Sequence, residues 1–312
     1  MSAGAAGVFA LLPSQAAATF HGRNGVIAWS SDVSDGKSGG AFAITILPVG
    51  SGTRHVIRSC SNVDSVGNPI YCQQWFRVSF SPNGRRLMWD MLNPADSWVI
   101  VLARADGSAP HTIVHDATQS DSEPSFSPNG QRIVYVRGPI GAEGQIVTSN
   151  LAGGSVHVLT PTVTGYDPVW APNGKTIMFA HHQDIWTVGV NGLGAHRLIR
   201  NGQDPDFSPN GRQIVYLNNG GLVSTFGTIY TAHADGSHQR RLPIVGHCCK
   251  YVQRVVFSPD GKQLAFGLLS PAATESLELA TVPITGGRPK QIASKSTNFN
   301  GGFTNSVSWR PH

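Results

Sequence analysis

The apolar positions of this chain fall in short alternating runs, and one run keeps returning. Leu87-Met88-Trp89, Ile133-Val134-Tyr135, Ile177-Met178-Phe179, Ile214-Val215-Tyr216 and Leu264-Ala265-Phe266 each have the length and alternation of a β-strand. Each follows a five-residue turn: Phe80-Ser81-Pro82-Asn83-Gly84, Phe126-Ser127-Pro128-Asn129-Gly130, Trp170-Ala171-Pro172-Asn173-Gly174, Phe207-Ser208-Pro209-Asn210-Gly211 and Phe257-Ser258-Pro259-Asp260-Gly261. Pro pre-sets its own φ and Gly supplies a positive one, which is hairpin chemistry. The aromatics lie 46, 44, 37 and 50 residues apart, a period that holds about four strands with their turns.

A sixth unit is divided between the ends. The chain closes on Trp309-Arg310-Pro311-His312, the first half of the motif, and near its start carries Asn24-Gly25-Val26-Ile27-Ala28-Trp29, the second half. Joined, the halves complete a ring and remove two free sheet edges. The inner strand of this closing blade is expected at about Thr304–Trp309, paired with Val26–Trp29. Third strands are expected at Ala41–Val49, Ser97–Ala103, Gln145–Leu151, Asp184–Val190, Thr228–Ala232 and Leu277–Ile284. Short fourth strands follow, as at His55-Val56-Ile57 and His157-Val158-Leu159. The expected fold is an all-β, six-bladed propeller of four-stranded blades, closed by the terminal segments.

The repeat resembles that of the TolB-like propeller family, a WD-like repeat, over about residues 20–312. The resemblance implies a propeller that binds partners or carries enzyme activity, since the fold hosts both. TolB itself has an additional N-terminal domain and works with envelope lipoproteins. That additional domain is not expected in the residues ahead of Asn24.

Composition agrees with a turn-rich β protein: 36 Gly and 20 Pro in 312 residues, and only 13% charged side chains. No run of about 18 apolar residues predicts a spanning helix. The net charge of +5 is spread out, with Arg240-Arg241 its densest spot, so no basic stripe points to nucleic acid. Residues 1–18 read as a signal peptide or a disordered Ala-rich leader: Ala3 to Leu12 are mostly apolar and Ala16-Ala17-Ala18 offers a cleavage site. The single propeller domain then spans 19–312, extracytoplasmic (secreted or periplasmic) and monomeric. In an oxidising compartment Cys60 and Cys72, in one long connection around Gly67-Asn68-Pro69, are expected to form a disulfide. The state of Cys248 and Cys249 is left open: free, bonded to each other, or paired with Cys60 and Cys72.

The strand before each motif turn is expected innermost, with the variable loops on the opposite face. The residue three places before each motif aromatic then stands at the channel mouth. Around the ring these are Arg77, Glu123, Asp167, Asp204, Arg254 and Ser306. Three neighbouring carboxylates suit a hard cation, with Glu123, Asp167 and Asp204 as ligands to Ca²⁺. The same residues also read as a polar clamp, as a charge-compensated ring in which Arg77 pairs with Glu123 and Arg254 with Asp204, or, at Asp167-Pro168 and Asp204-Pro205, as strand-entry turns. His55, His111, His157 and His196 repeat one outer-strand position and point apart. Of His181 and His182, strand alternation allows only one to join Asp184.

The chain contains no G-x-S-x-G elbow, H-E-x-x-H helix, Walker loop or dinucleotide loop. The leading expectation is a non-enzymatic propeller that binds a protein or envelope ligand through its variable loop face and requires no cofactor. The alternative is a hydrolase or lyase, dependent on a channel cation, that acts on a sugar or lactone.

Overall fold

The structure, a computed structural model, describes residues 24–32, 42–48, 55–59, 77–93, 97–114, 116, 118–139, 142–218, 220, 227–244, 251–269, 276–296 and 306–311. The expected leader, all four cysteines and most of the long loops lie outside the described residues.

The strands form six antiparallel blades. The first contains β1 (Asn24–Asp32), β2 (Phe42–Pro48) and β3 (His55–Ser59). The second contains β4 (Ser79–Phe80), β5 (Arg86–Leu92), β6 (Trp98–Arg104) and β7 (His111–Val114). The third contains β8 (Ser120–Phe126), β9 (Arg132–Gly138), β10 (Gly144–Asn150) and β11 (His157–Val158). The fourth contains β12 (Thr164–Trp170), β13 (Thr176–His181), β14 (Asp184–Gly189) and β15 (His196–Ile199). The fifth contains β16 (Gly202–Phe207), β17 (Gln213–Asn218), β18 (Thr228–His233) and β19 (Arg240–Arg241). The sixth contains β20 (Tyr251–Phe257), β21 (Gln263–Leu269), β22 (Ser276–Pro283) and β23 (Lys290–Ser296). Finally β24 (Ser306–Pro311) pairs with β1, with Trp309 opposite Ile27 and Val307 opposite Trp29, and completes the first blade. The inner strands β24, β4, β8, β12, β16 and β20 touch their neighbours in a closed cycle.

The core is divided into six clusters, one between each pair of adjacent blades. This explains why the second strands are apolar at consecutive positions. In β9, Ile133 and Tyr135 pack back against the second blade while Val134 and Val136 pack forward against the fourth. Both faces of the strand are buried, so both must be apolar. The closing cluster joins Trp309 and Val307 to Ile27, Trp29, Ala265 and Leu279.

Four of the five motif turns are held by the same serine-centred bonds, and the turn at Ala171 keeps the backbone bonds without the hydroxyl. Ser127 Oγ donates to Asn129 Oδ1 (2.8 Å) and accepts from the Arg132 amide (2.9 Å), while the Gly130 amide donates to the Ser127 carbonyl (2.8 Å). Ser81, Ser208 and Ser258 repeat the pattern. The motif glycines have φ of 64° to 70°. That is the left-handed position, which glycine takes without strain, at the end of the β-turn closed by the glycine amide. The serine acts as a hub, and the turn chemistry of Pro, Asn and Gly alone does not reveal it.

Candidate functional site

At the other end of the inner strands the ladder is interrupted. The registers of β8, β12, β16 and β20 slip between Ser122 and Ser125, Tyr166 and Val169, Gln203 and Asp206, and Gln253 and Val255. Within each slip sits a mouth residue with positive φ: Glu123 (57°), Asp167 (57°), Asp204 (51°) and Arg254 (46°). Bulges of this kind re-aim side chains. Here they bring charged groups from four blades together at the channel mouth, where Arg77 joins them from the second. Ser306 opens β24 opposite Ser30.

The charges interlock. Arg77 Nη2 contacts the Asp167 carboxylate and lies 3.8 Å from Glu123 Oε1 and 3.9 Å from Asp204 Oδ1. Arg254 Nη1 pairs with Asp204 and lies 3.3 Å from Asp167 Oδ1. Glu123 Oε2 accepts the Asp167 amide. Both pairings expected for a compensated ring are present. In addition, the Arg77 guanidinium lies within reach of all three carboxylates. Burial pushes the Asp204 carboxyl up to about 6, against the pull of Arg77. Glu123 is also raised by burial, which Arg77 opposes and the Asp204 charge reinforces.

A residue outside the ring supports it. Asp90, on β5 and 1% exposed, accepts the amides of Arg77 (2.6 Å) and Glu123 (2.7 Å). One carboxylate thereby fixes the backbone of two mouth positions. Its burial outweighs these bonds and raises its carboxyl to about 7. Asp206, deeper in the channel, accepts the Phe257 amide (2.8 Å) and is likewise raised by burial to about 7. Only a charge in a repeated frame marks Asp206 in the sequence, and Asp90 carries no signal of its own there.

The channel holds a cavity of about 100 Å³ lined by the inner strands, including Arg77, Ser79, Asp206, Arg254 and Ser308. That is room for about three waters, well below the roughly 300 Å³ at which small-molecule pockets begin. The arrangement can exchange hydrogen bonds and ion pairs at its surface.

The outer-strand histidines begin their strands: His55 in β3, His111 in β7, His157 in β11 and His196 in β15. His181 and His182 behave differently from strand alternation. Asp184 is engaged by Arg197 (3.2 Å) and the Asn201 amide (3.0 Å), and both histidine rings face Glu143 instead. Among the described residues these three make a group of potential metal ligands, with ligand atoms within 4.8 Å of one another.

The sequence profile of the TolB beta propeller domain matches residues 73–251, more than half of the chain. The chain belongs to this family. Among solved structures, TolB from Acinetobacter baumannii is similar with a TM-score of 0.69 at 14% identity, over 92% of this chain and 67% of that one. A putative TolB from Agrobacterium tumefaciens is similar with a TM-score of 0.65 at 15% identity, over 93% of this chain and 100% of that one. A chain of a nidogen/laminin complex is similar with a TM-score of 0.62 at 12% identity, over 92% and 98%. No curated protein sequence matches. At these identities the structural likeness fixes the TolB-like propeller fold and leaves the ligand to the site itself. Among the described residues no helix is long and apolar enough to cross a membrane.

Proposed function

We propose that this TolB-like propeller is an extracytoplasmic binding module whose channel-mouth face takes a protein or envelope ligand without transforming it. The observation that carries the reading is the interlocked ring over a small cavity. Arg77 and Arg254 lie among Glu123, Asp167 and Asp204, above about 100 Å³ of space. Among the described residues the channel cavity leaves a substrate little room, so the ligand docks on the mouth. Carboxylates outnumber guanidiniums there three to two, which suits a basic group on the partner. Glu123, the most exposed of the five at 25%, is the first it meets. A Ca²⁺ ion shared by the three carboxylates would have to displace Arg77, and this favours the clamp over the cation.

The test is affinity capture from envelope extract with the wild-type chain and with Glu123→Gln. The expected result is a partner retained by the wild type and lost by the variant, with unchanged thermal unfolding of both. Equal capture by both would overturn the reading, as would turnover in a glycan and lactone hydrolysis screen. A rise in melting temperature on adding Ca²⁺ that Asp167→Asn abolishes would replace the clamp with a cation site.

A further inference from the structure

A second polar cluster stands apart from the channel, where the third and fourth blades meet, and the backbone there is built to bring the blades together. Gly144 at the start of β10 pairs with Gly165 on β12, and Gln145 pairs with Thr164, so the two blades share one continuous sheet. A Cβ on Gly144 would come within 2.5 Å of the Arg137 carbonyl oxygen, and one on Gly165 within 2.5 Å of Phe179 Cδ2. Each glycine thus leaves room for the neighbouring strand of its own blade at the point where the two blades pair. The corresponding contact between the fifth and sixth blades is the single bridge Gly227–Val252. Glu143, one residue before the glycine, therefore reaches the β13–β14 hairpin of the next blade.

That hairpin turns through His182 and Gln183. Alternation along a strand would send the rings of His181 and His182 to opposite faces. His182 instead has φ of 53°, and the two ring centroids lie 4.1 Å apart. The carboxylate of Glu143 faces both, with Oε2 3.1 Å from His181 Nδ1 and Oε1 3.6 Å from His182 Nδ1.

We propose that Glu143, His181 and His182 bind a divalent transition ion of the imidazole-preferring class, Zn²⁺ foremost, with a coordination position left open to solvent. Bonds of about 2.0–2.2 Å in a tetrahedral site set its ligand atoms roughly 3.3–3.6 Å apart. The His182 nitrogen–oxygen separation matches that spacing, and the His181 separation is about 0.2 Å shorter than its lower end. Two imidazoles and a carboxylate suit Zn²⁺, Ni²⁺ or Cu²⁺, whereas Ca²⁺ and Mg²⁺ take oxygen ligands. The ligands are oriented from behind, as metal sites require. Thr164 Oγ1 donates to Glu143 Oε2 (2.9 Å), the His182 amide donates to Glu143 Oε1 (2.5 Å), and Tyr166 Oη donates to the His182 carbonyl (2.6 Å). Trp186 meets the His181 ring edge-on at 5.2 Å. The His182 side chain is 79% exposed, which leaves an approach for the ion and for a fourth ligand.

The full chain, treated with EDTA and dialysed, is titrated with ZnCl₂ by calorimetry and with CoCl₂ by visible absorption. The expected result is one ion per chain, a Co²⁺ band of a four-coordinate site, and no heat with Ca²⁺. His182→Ala and Glu143→Gln should each weaken Zn²⁺ binding at least ~10-fold. Because His182 is so exposed, its replacement should leave unfolding in EDTA unchanged, and this arm decides if Glu143→Gln is unstable. His233→Ala/His238→Ala removes a second close histidine pair among the described residues, with centroids 4.2 Å apart, and should leave binding unchanged. Three results would overturn the assignment: no Zn²⁺ binding, wild-type binding by His181→Ala/His182→Ala, or loss of binding in His233→Ala/His238→Ala.

Discussion

Both ends of the inner strands place residues in the left-handed region of backbone space, but with opposite chemistry. At the motif end the residues are glycines, Gly84, Gly130, Gly174, Gly211 and Gly261, for which that conformation is unstrained. At the mouth they are Glu123, Asp167, Asp204 and Arg254. A non-glycine residue there costs on the order of 1–3 kcal/mol and persists only where its surroundings hold it. The holding contacts are present: Asp90 fixes the Arg77 and Glu123 amides, and Glu123 fixes the Asp167 amide. The motif end is a scaffold repeated five times with little variation. The mouth instead holds non-glycine residues in the left-handed region, and this converges its charges.

The largest expected effect comes from breaking the ring that both ends share. Ending the chain before Ser306 removes β24, exposes the inner edge of β1 and takes Trp309 out of the closing cluster. Cooperative thermal unfolding should be lost, or its midpoint fall by roughly 10 °C or more, as expected for several kcal/mol. An unchanged midpoint would show that the blades hold together without closure.

The pH dependence probes the depth between the two ends. Asp90 and Asp206 titrate near 7 in the folded chain and Asp204 near 6, against ordinary values near 4. The folded state therefore binds more protons than the unfolded state over this window. Stability from these groups is fully present below about pH 4 and is lost as pH rises through 6 to 7. Asp206→Asn keeps an oxygen for the Phe257 amide and removes the charge. Its unfolding midpoint should fall less between pH 5 and pH 8 than that of the wild type, with a gain on the order of 2 kcal/mol at pH 8. Parallel curves for the two proteins would mean that Asp206 is solvated in the channel.

The motif end should be less forgiving of side chains than the mouth. Gly130→Ala puts a Cβ at φ +66° and 3.2 Å from Pro82 Cδ of the neighbouring blade. A loss of about 1–2 kcal/mol is expected by chemical denaturation. A neutral result would remove the distinction between glycine turns and charged bulges.

What the sequence discloses follows from what is periodic. The six blades, the split closing blade and the third strands repeat at fixed offsets. Asp184–Gly189 and Thr228–His233, for example, lie within a residue of their expected ends. The mouth residues were also legible, because each stands three places before a motif aromatic. Asp90 was not: it lies in an apolar strand, and its role depends on an amide in the next blade. The pairing of His181 and His182 with Glu143 escaped for two physical reasons. A turn residue with positive φ breaks alternation, and the glycine approach that carries Glu143 across the blade boundary joins positions 38 residues apart. The expected Cys60–Cys72 bond lies outside the described residues.

The smallest stability effect, and the sharpest use of the comparison, is expected from Asp204→Asn. Two consequences oppose each other. The carboxyl is buried and raised to about 6, so its ionised form at pH 8 works against folding, and the amide relieves that. Arg254 loses its contact with Asp204 but keeps Asp167 at 3.3 Å, and Arg77 keeps Glu123 and Asp167, so neither guanidinium is left without a partner. Removing a single partner from a buried pair is severe only when it strands the other charge. The net change at pH 8 should stay within about 1 kcal/mol, smaller than that of Gly130→Ala, while partner capture at the mouth weakens. The two readouts separate a binding surface from a structural ring. A destabilisation as large as that of Gly130→Ala, with capture intact, would make the charged bulges as much a scaffold as the glycine turns.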